Sequence, residues 1–171
     1  MEPQPTITSR RTRWHRVTVV AEWDLDPHAV LAATLAHDRD RSSLYGLLVP
    51  AALHGLDWAG EPNASKPCAE HQLAQLTRLF DQAGVAVQEG RVGDPVSAAA
   101  IGDAAYDWSP DEILLFSRKR RTALSHPLSL SRRIERATGV AVTRIGVSAG
   151  ARRRLRSAPQ CQPLRIGTAP R

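Results

Sequence analysis

The chain has few aromatic residues, few cysteines and no long apolar run. Aromatic side chains make up only 5% of its 171 residues, so alanine and aliphatic side chains must fill most of a core. No segment approaches the ~18 consecutive apolar residues of a membrane span, and the polar, arginine-bearing N-terminus is unlike a signal peptide. The two cysteines, Cys68 and Cys161, show neither metal-ligand spacing nor a disulfide-dense pattern. This favours a reduced, cytoplasmic setting with no membrane attachment.

Motifs for metal binding and catalysis are also lacking. Six histidines are scattered along the chain: His15, His28, His37, His54, His71 and His126. None forms a pair at the four-residue spacing of a helical metal site. Ser125 precedes His126, but adjacency does not give the geometry of a nucleophile and its base, and no Gly-x-Ser-x-Gly elbow is present. We therefore predict no metal site and no enzymatic activity.

The basic character of the chain comes from its two ends. The formal net charge is +6, yet residues 17–147 hold thirteen Lys or Arg against sixteen Asp or Glu. Four basic residues and one acidic residue precede this body, and six basic residues follow it. The composition predicts a flexible basic arm at 1–16, one α/β domain at 17–147 and a disordered basic tail at 148–171.

The segment 84–117 has the pattern of a β-α-β unit. Its β-branched valines lead into a Gly-Asp-Pro turn, as at the end of a strand. Asp94 is predicted to N-cap a helix that begins with Pro95, because proline lacks an N–H and an N–H at the first helical position would have no intrahelical partner. This helix should stop near Ser109. The unbroken apolar run 113–116 is typical of a parallel strand covered on both faces.

The remaining elements follow from the same reasoning. Further buried strands are predicted at 17–21, 44–49 and 140–147, and a long loop at 51–67. One helix is predicted to start after a cap at Asp24 or Asp26, and others at 69–82, with Gly84 as the C′ residue, and at 129–138. The order β-α-β-α-β-α-β-α-β predicts an α/β fold, a Rossmann-like, doubly wound sheet of five parallel strands with helices on both faces.

Four short stretches carry a resemblance to a known family. They are Val-Thr-Val-Val-Ala in the first strand, Leu-Leu-Val-Pro in the second, Val-Gly-Asp-Pro before the third helix and Asp-Glu-Ile-Leu-Leu-Phe-Ser at the fourth strand. Residues 17–147 resemble the universal stress protein family of the adenine-nucleotide α-hydrolase-like superfamily, especially its short, divergent members from high-GC Gram-positive bacteria. The resemblance implies the strand order 3-2-1-4-5 and, in some members, ATP at the carboxyl ends of strands one and four. It also implies a homodimer paired through 140–147, although Arg144 is a mid-strand charge that would guard this edge.

The resemblance implies a nucleotide site where topology also favours a crevice. Its predicted contact residues are Glu22, Val49, Gly93, Asp94, Ser117, Arg118, Arg120 and Ser129. Relatives that bind ATP have Gly, two residues, Gly, nine residues and then Gly-Ser or Gly-Thr after strand four, whereas 116–131 contains no glycine here. The family's acidic residue after strand one falls near Glu22 or Asp24, without a clear Asp-x-Ser. We therefore predict that ATP, or another adenine nucleotide, binds weakly or not at all.

Two interpretations of the basic run 118–121 stay open. In one, its four cations bind a phosphate by charge, with Arg132 and Arg133 one helix start away. In the other, they form a solvated loop on an acidic body. Asp94 presents a similar choice between contacting a ribose and capping a helix.

The function predicted from these features is non-catalytic. We expect a universal-stress-type domain that senses a nucleotide or an anion weakly in a stress response and acts through contacts with other proteins. The alternative is a nucleic-acid-associated protein that binds weakly and non-specifically through its arginine-rich ends. A nucleotide hydrolase is a third class.

Overall fold

The computed structural model describes residues 14–38, 42–51, 65–118 and 130–147, which form one layered α/β domain. Strands and helices alternate through them: β1 (His15–Ala21), α1 (Pro27–His37), β2 (Ser43–Pro50), α2 (Lys66–Gln82), β3 (Val87–Gly93), α3 (Ser97–Trp108), β4 (Glu112–Arg118), α4 (Leu130–Thr138) and β5 (Ala141–Val147). Every strand pair is parallel, and the strand order is β3-β2-β1-β4-β5. The predicted doubly wound sheet and its order are confirmed.

The sheet separates two apolar layers. Leu47 and Leu48 are neighbours in β2 and both are fully buried, but they belong to different clusters because successive side chains point to opposite faces. Leu47 lies in the cluster with Phe80 of α2, and Leu48 lies in the cluster with Ile101 of α3. Helices α1 and α2 therefore cover one face, and α3 and α4 cover the other.

Two predicted helix ends are confirmed. Asp26 is the N-cap of α1, and its Oδ1 accepts a hydrogen bond from the backbone N–H of His28 at 3.0 Å. Gly84 follows α2 with φ of 69°, a left-handed conformation that glycine adopts without steric cost. The backbone N–H of Val85 then bonds back to the carbonyl of Phe80 at 2.9 Å, which completes a Schellman motif.

The prediction that Asp94 caps α3 is wrong. The helix begins at Ser97, its N-cap is Val96, and Asp94 lies two residues further back. Asp94 Oδ1 accepts from the backbone N–H of Val96 at 2.8 Å, so its side chain closes a local turn before the helix starts. A short Asp side chain that bonds to a neighbouring backbone N–H can form such a turn in place of a helix cap.

Other boundaries differ by a few residues. β1 begins at His15, two residues before the predicted start. α2 begins at Lys66, within the predicted loop 51–67, because Pro67 fits the first helical turn, where it needs no N–H partner. The rest of that loop at 52–64, and the predicted arms apart from residues 14–16, lie outside the described residues. No helix in the described part of the chain is long and apolar enough to cross a membrane.

Trp108 fastens the end of α3 to the edge of the sheet. It is 5% exposed, its indole N–H donates to Glu89 Oε2 at 2.9 Å, and the guanidinium of Arg91 lies 5.3 Å from its ring centroid. The ring lies against the backbone of Gly46 in β2, where an added Cβ would be 2.5 Å from Trp108 Cε3. Only glycine fits at this position.

Replacing Gly46 with alanine should therefore destabilise the fold. Because the methyl group would overlap a buried ring held by its own contacts, we expect Gly46→Ala to cost about 1–3 kcal/mol of unfolding free energy in urea denaturation. The matched control is Gly102→Ala in α3, where an added Cβ meets nothing within 4 Å. That variant should gain about 0.5–1 kcal/mol from helix propensity. Equal stability of the Gly46→Ala and native chains would contradict the packing account.

Candidate functional site

The carboxyl ends of the strands share one edge of the sheet, and most of the predicted site residues lie along it. Ala21 pairs with Phe116, so Glu22 and Ser117 follow side by side at the ends of β1 and β4. On the other side of β1, Pro50 pairs with Gly93. From here β1 continues into α1 on one face, and β4 leads to α4 on the other. In open α/β sheets, a divergence of this kind makes a crevice between the two strand ends, and this is the usual ligand position.

An ion pair joins the two sides of this crevice. Arg118, the last residue of β4, donates from Nη2 to Oδ2 of Asp24, which lies in the turn between β1 and α1. The side chain of Asp24 is 5% exposed, whereas that of Arg118 is 36% exposed. The carboxylate is thus enclosed beneath a cation that still faces solvent.

The pair leaves two buried atoms unsatisfied. Asp24 Oδ1 and Arg118 Nε have no hydrogen-bond partner among the residues that the structure describes. A guanidinium and a carboxylate commonly pair through two parallel hydrogen bonds, but this contact uses one oxygen. An unsatisfied buried polar group costs about 1–3 kcal/mol, so both atoms favour an additional polar partner.

The acidic residue that faces β4 is Asp24. Glu22 is half-buried at the start of the same turn, and its carbonyl accepts from the backbone N–H of Leu25 at 3.3 Å. Asp24 stands two residues before Asp26, the N-cap of α1. The structure therefore distinguishes the two positions that the sequence left open, and it brings the second one to Arg118.

Packing accounts for two other predicted contact residues. The side chain of Val49 is fully buried in the α1/α2 layer, so only its backbone reaches the edge. A Cβ on Gly93 would lie 2.6 Å from Ala100 Cβ, so the glycine permits close approach of α3. Ser117 is half-buried at the strand end, and Asp94 is exposed at its turn.

The other predicted contact residues, Arg120 and Ser129, lie outside the described residues, as does the rest of the basic run after Arg118.

Several solved structures that are similar to this chain are universal stress proteins. One, in complex with cAMP, is 16% identical with a TM-score of 0.53, and the match covers 79% of this chain and 99% of that one. Another, from Archaeoglobus fulgidus, is 16% identical with a TM-score of 0.53, covering 77% and 93%. A third, from Arabidopsis thaliana with AMP bound, is 17% identical with a TM-score of 0.50, covering 81% and 94%. This chain has the universal stress protein fold.

The sequence itself matches no protein-family model and no curated protein. The narrower likeness to members from high-GC Gram-positive bacteria stays a prediction.

A second polar cluster lies at the opposite, amino-terminal edge of the sheet. Glu112 begins β4, and its side chain is 13% exposed. Its Oε1 accepts from Thr143 Oγ1 at 2.7 Å and lies 3.0 Å from His37 Nε2, while its Oε2 lies 3.5 Å from His15 Nε2. Sequence reasoning treated the histidines as scattered and missed this cluster. Its signal was positional, since Glu112 and His15 each begin a parallel strand and such ends share an edge.

These contacts stabilise the ionised form of Glu112. Burial by itself would raise its pKa, but hydrogen bonds from Thr143 and His37, with the charge of His37, hold the pKa below its ordinary value of 4.5. In the part of the chain that the structure describes, no group of three His, Cys, Asp or Glu side chains is placed to hold a metal ion.

Replacing Glu112 with glutamine should reveal this electrostatic contribution. A folded-state pKa below the unfolded one adds stability that is fully present above about pH 4.5 and is lost as the pH falls through the folded value. We expect Glu112→Gln to cost about 1 kcal/mol at pH 6, and the difference from the native chain to shrink toward pH 3. Urea denaturation at each pH measures it. Glu70→Gln, which removes an exposed carboxylate from α2, is the control and should follow the native curve. A difference for Glu112→Gln that does not change with pH would contradict the assignment.

Proposed function

We propose that this domain is a non-catalytic sensor that binds the phosphate of a small nucleotide weakly in the crevice between β1 and β4. The observation that carries the proposal is the placement of Arg118. Its side chain is partly exposed at the topological switch point, and its buried Nε has no hydrogen-bond partner within the described part of the chain. An arginine held in this way offers fixed donors to an oxyanion.

The nucleotides seen in proteins of the same fold support a monophosphate as the ligand. One such protein is in complex with cAMP and another has AMP bound. Glycine-rich loops wrap a chain of phosphates with bare backbone N–H groups, and residues 116–131 contain no glycine. A single phosphate needs less of this wrapping, so charge from Arg118 is a sufficient substitute.

Sensing without catalysis is the role that fits these features. The crevice contains the cation of Arg118 paired with the buried carboxylate of Asp24. A ligand phosphate binds the cation by displacing the carboxylate. We propose that the bound state is reported through contacts with other proteins in a cytoplasmic stress response. Under the hydrolase alternative, the chain would convert its nucleotide, so product analysis after incubation with ATP distinguishes the two.

The binding proposal predicts a preference for one phosphate over three. In isothermal titration calorimetry, AMP and cAMP should bind with dissociation constants on the order of 1 mM, and ATP should bind no more tightly than AMP. Arg118→Gln should abolish the heat of AMP binding because it removes the cation. The matched control is Arg144→Gln, since Arg144 is an exposed arginine on β5. Magnesium-dependent ATP binding near 1 µM would overturn the proposal.

We also propose that the chain forms a homodimer through β5. Within the described residues, this strand pairs with β4 alone and is an edge of the sheet. The backbone N–H of Val142 bonds to Glu135 Oε1 at 3.2 Å, so it faces away from β4, and alternation puts Arg144 and Gly146 on the same outer edge. Glu135 shields the first of these positions, which leaves the other two for pairing with a second copy.

Removing one edge donor tests this interface. Light scattering should give the mass of a dimer for the native chain and of a monomer for Arg144→Pro, because proline has no N–H to donate. Arg144→Ala keeps the N–H and should remain dimeric. Circular dichroism confirms that the variants are folded. A monomeric native chain, or a folded proline variant that stays dimeric, would contradict pairing through β5.

A further inference from the structure

We propose that Asp24 competes with ligands for the anion site. Its carboxylate pairs with Arg118, and an incoming oxyanion binds Arg118 by displacing this carboxylate. The inference rests on the proposed function and adds the regulation of that site. It names an internal carboxylate as the group that sets the affinity for phosphate.

The geometry of the pair supports displacement. Asp24 belongs to the turn after β1, and Arg118 ends β4, so the contact joins two elements on either side of the crevice. Asp24 contributes a single oxygen to a single terminal nitrogen. Among the described residues, Arg118 Nε has no hydrogen-bond partner, but it is buried, so a ligand reaches this donor only when Asp24 moves away. The carboxylate therefore takes the place of one oxygen of a phosphate.

The charges of Asp24 and Arg118 determine whether replacing Asp24 raises or lowers the affinity for an oxyanion. Arg118 and Asp24 neutralise one another, so an approaching anion meets a pair with no net charge and must break an existing contact. Asn at position 24 keeps the shape of the side chain but removes its negative charge. The cation of Arg118 is then available to the ligand, and affinity for an oxyanion rises.

The size of the effect follows from how often the pair is intact. When Arg118 is engaged for about nine-tenths of the time, the apparent dissociation constant is about tenfold weaker than the intrinsic one. Removing the competitor recovers this factor. The ligand class is a phosphate monoester or a free phosphate, since both offer the same oxyanion to Arg118.

The experiment compares four full-length chains by calorimetry: native, Asp24→Asn, Asp103→Asn and Asp24→Asn combined with Arg118→Gln. The probes are AMP, inorganic phosphate and adenosine. We expect Asp24→Asn to bind AMP about tenfold more tightly than the native chain. Asp103→Asn, the matched control, removes an exposed carboxylate from α3 and should stay within about twofold of the native chain. The double variant should not bind. Adenosine should bind equally to the native and Asp24→Asn chains, because it carries no anion.

Each outcome is decisive. Native binding that Asp24→Asn leaves unchanged or weakens overturns the competitor while the proposed function stands. If Asp24→Asn binds AMP or phosphate and the native chain does not, Asp24 is a competitor for Arg118, but the native chain does not bind the ligand and the proposed function is wrong. If neither chain binds AMP or phosphate, both proposals fail. If Asp24→Asn increases the affinity for phosphate as much as the affinity for AMP, the ligand of the site is the free anion. If it increases the affinity for AMP alone, the ligand is the nucleotide.

A measurement on the native chain covers the case in which Asp24→Asn does not fold. The side-chain carboxyl carbon of Asp24 is followed by NMR during addition of AMP. We expect its resonance to move with saturation, because the carboxylate loses Arg118. Saturable AMP binding that leaves the Asp24 resonance in place would overturn the inference.

Discussion

The parallel pairing of β1 with β4 is the constraint on which the rest of this structure depends. It is the point where the chain order reverses, because β2 and β3 lie on one side of β1 and β5 lies beyond β4. The two strands are the centre of the sheet, and their residues 17–21 and 113–116 are buried. Their register also decides the site, since pairing of Ala21 with Phe116 brings the turn containing Asp24 to Arg118.

The charged side chains at the two ends of this strand pair differ in how fully they are hydrogen-bonded. At the amino-terminal edge, Glu112 is surrounded by donors from Thr143, His37 and His15, so the carboxylate is well satisfied and acts as a structural tie between β1, α1, β4 and β5. At the carboxyl edge, Asp24 and Arg118 satisfy each other only in part. A well-satisfied cluster stabilises the fold, whereas a partly satisfied pair is open to a further polar ligand.

Much of the fold was predictable because local signals and topology agree. The apolar run 113–116, the cap at Asp26 and the glycine at position 84 each indicate one local structure, and alternating strands and helices leave few sheet orders. The start of α3 was predicted wrongly because an Asp before a proline suits both a cap and a local turn. The close approach of Ala100 to Gly93, which belongs to the packing of α3, is not visible in the sequence. The site was harder to predict. Arg118 was a candidate from its place after the fourth strand, but its pairing with Asp24 depends on a turn whose path no sequence pattern specifies.

We propose that the crevice between β1 and β4 binds an anionic ligand through Arg118. Backbone amide shifts, followed by NMR while the full chain is titrated with AMP, would locate this ligand. The largest saturable shifts should lie at residues 22–24 and 117–118. Saturable shifts confined to the amino-terminal edge around His15 and Glu112, or no shifts at several millimolar AMP, would contradict it.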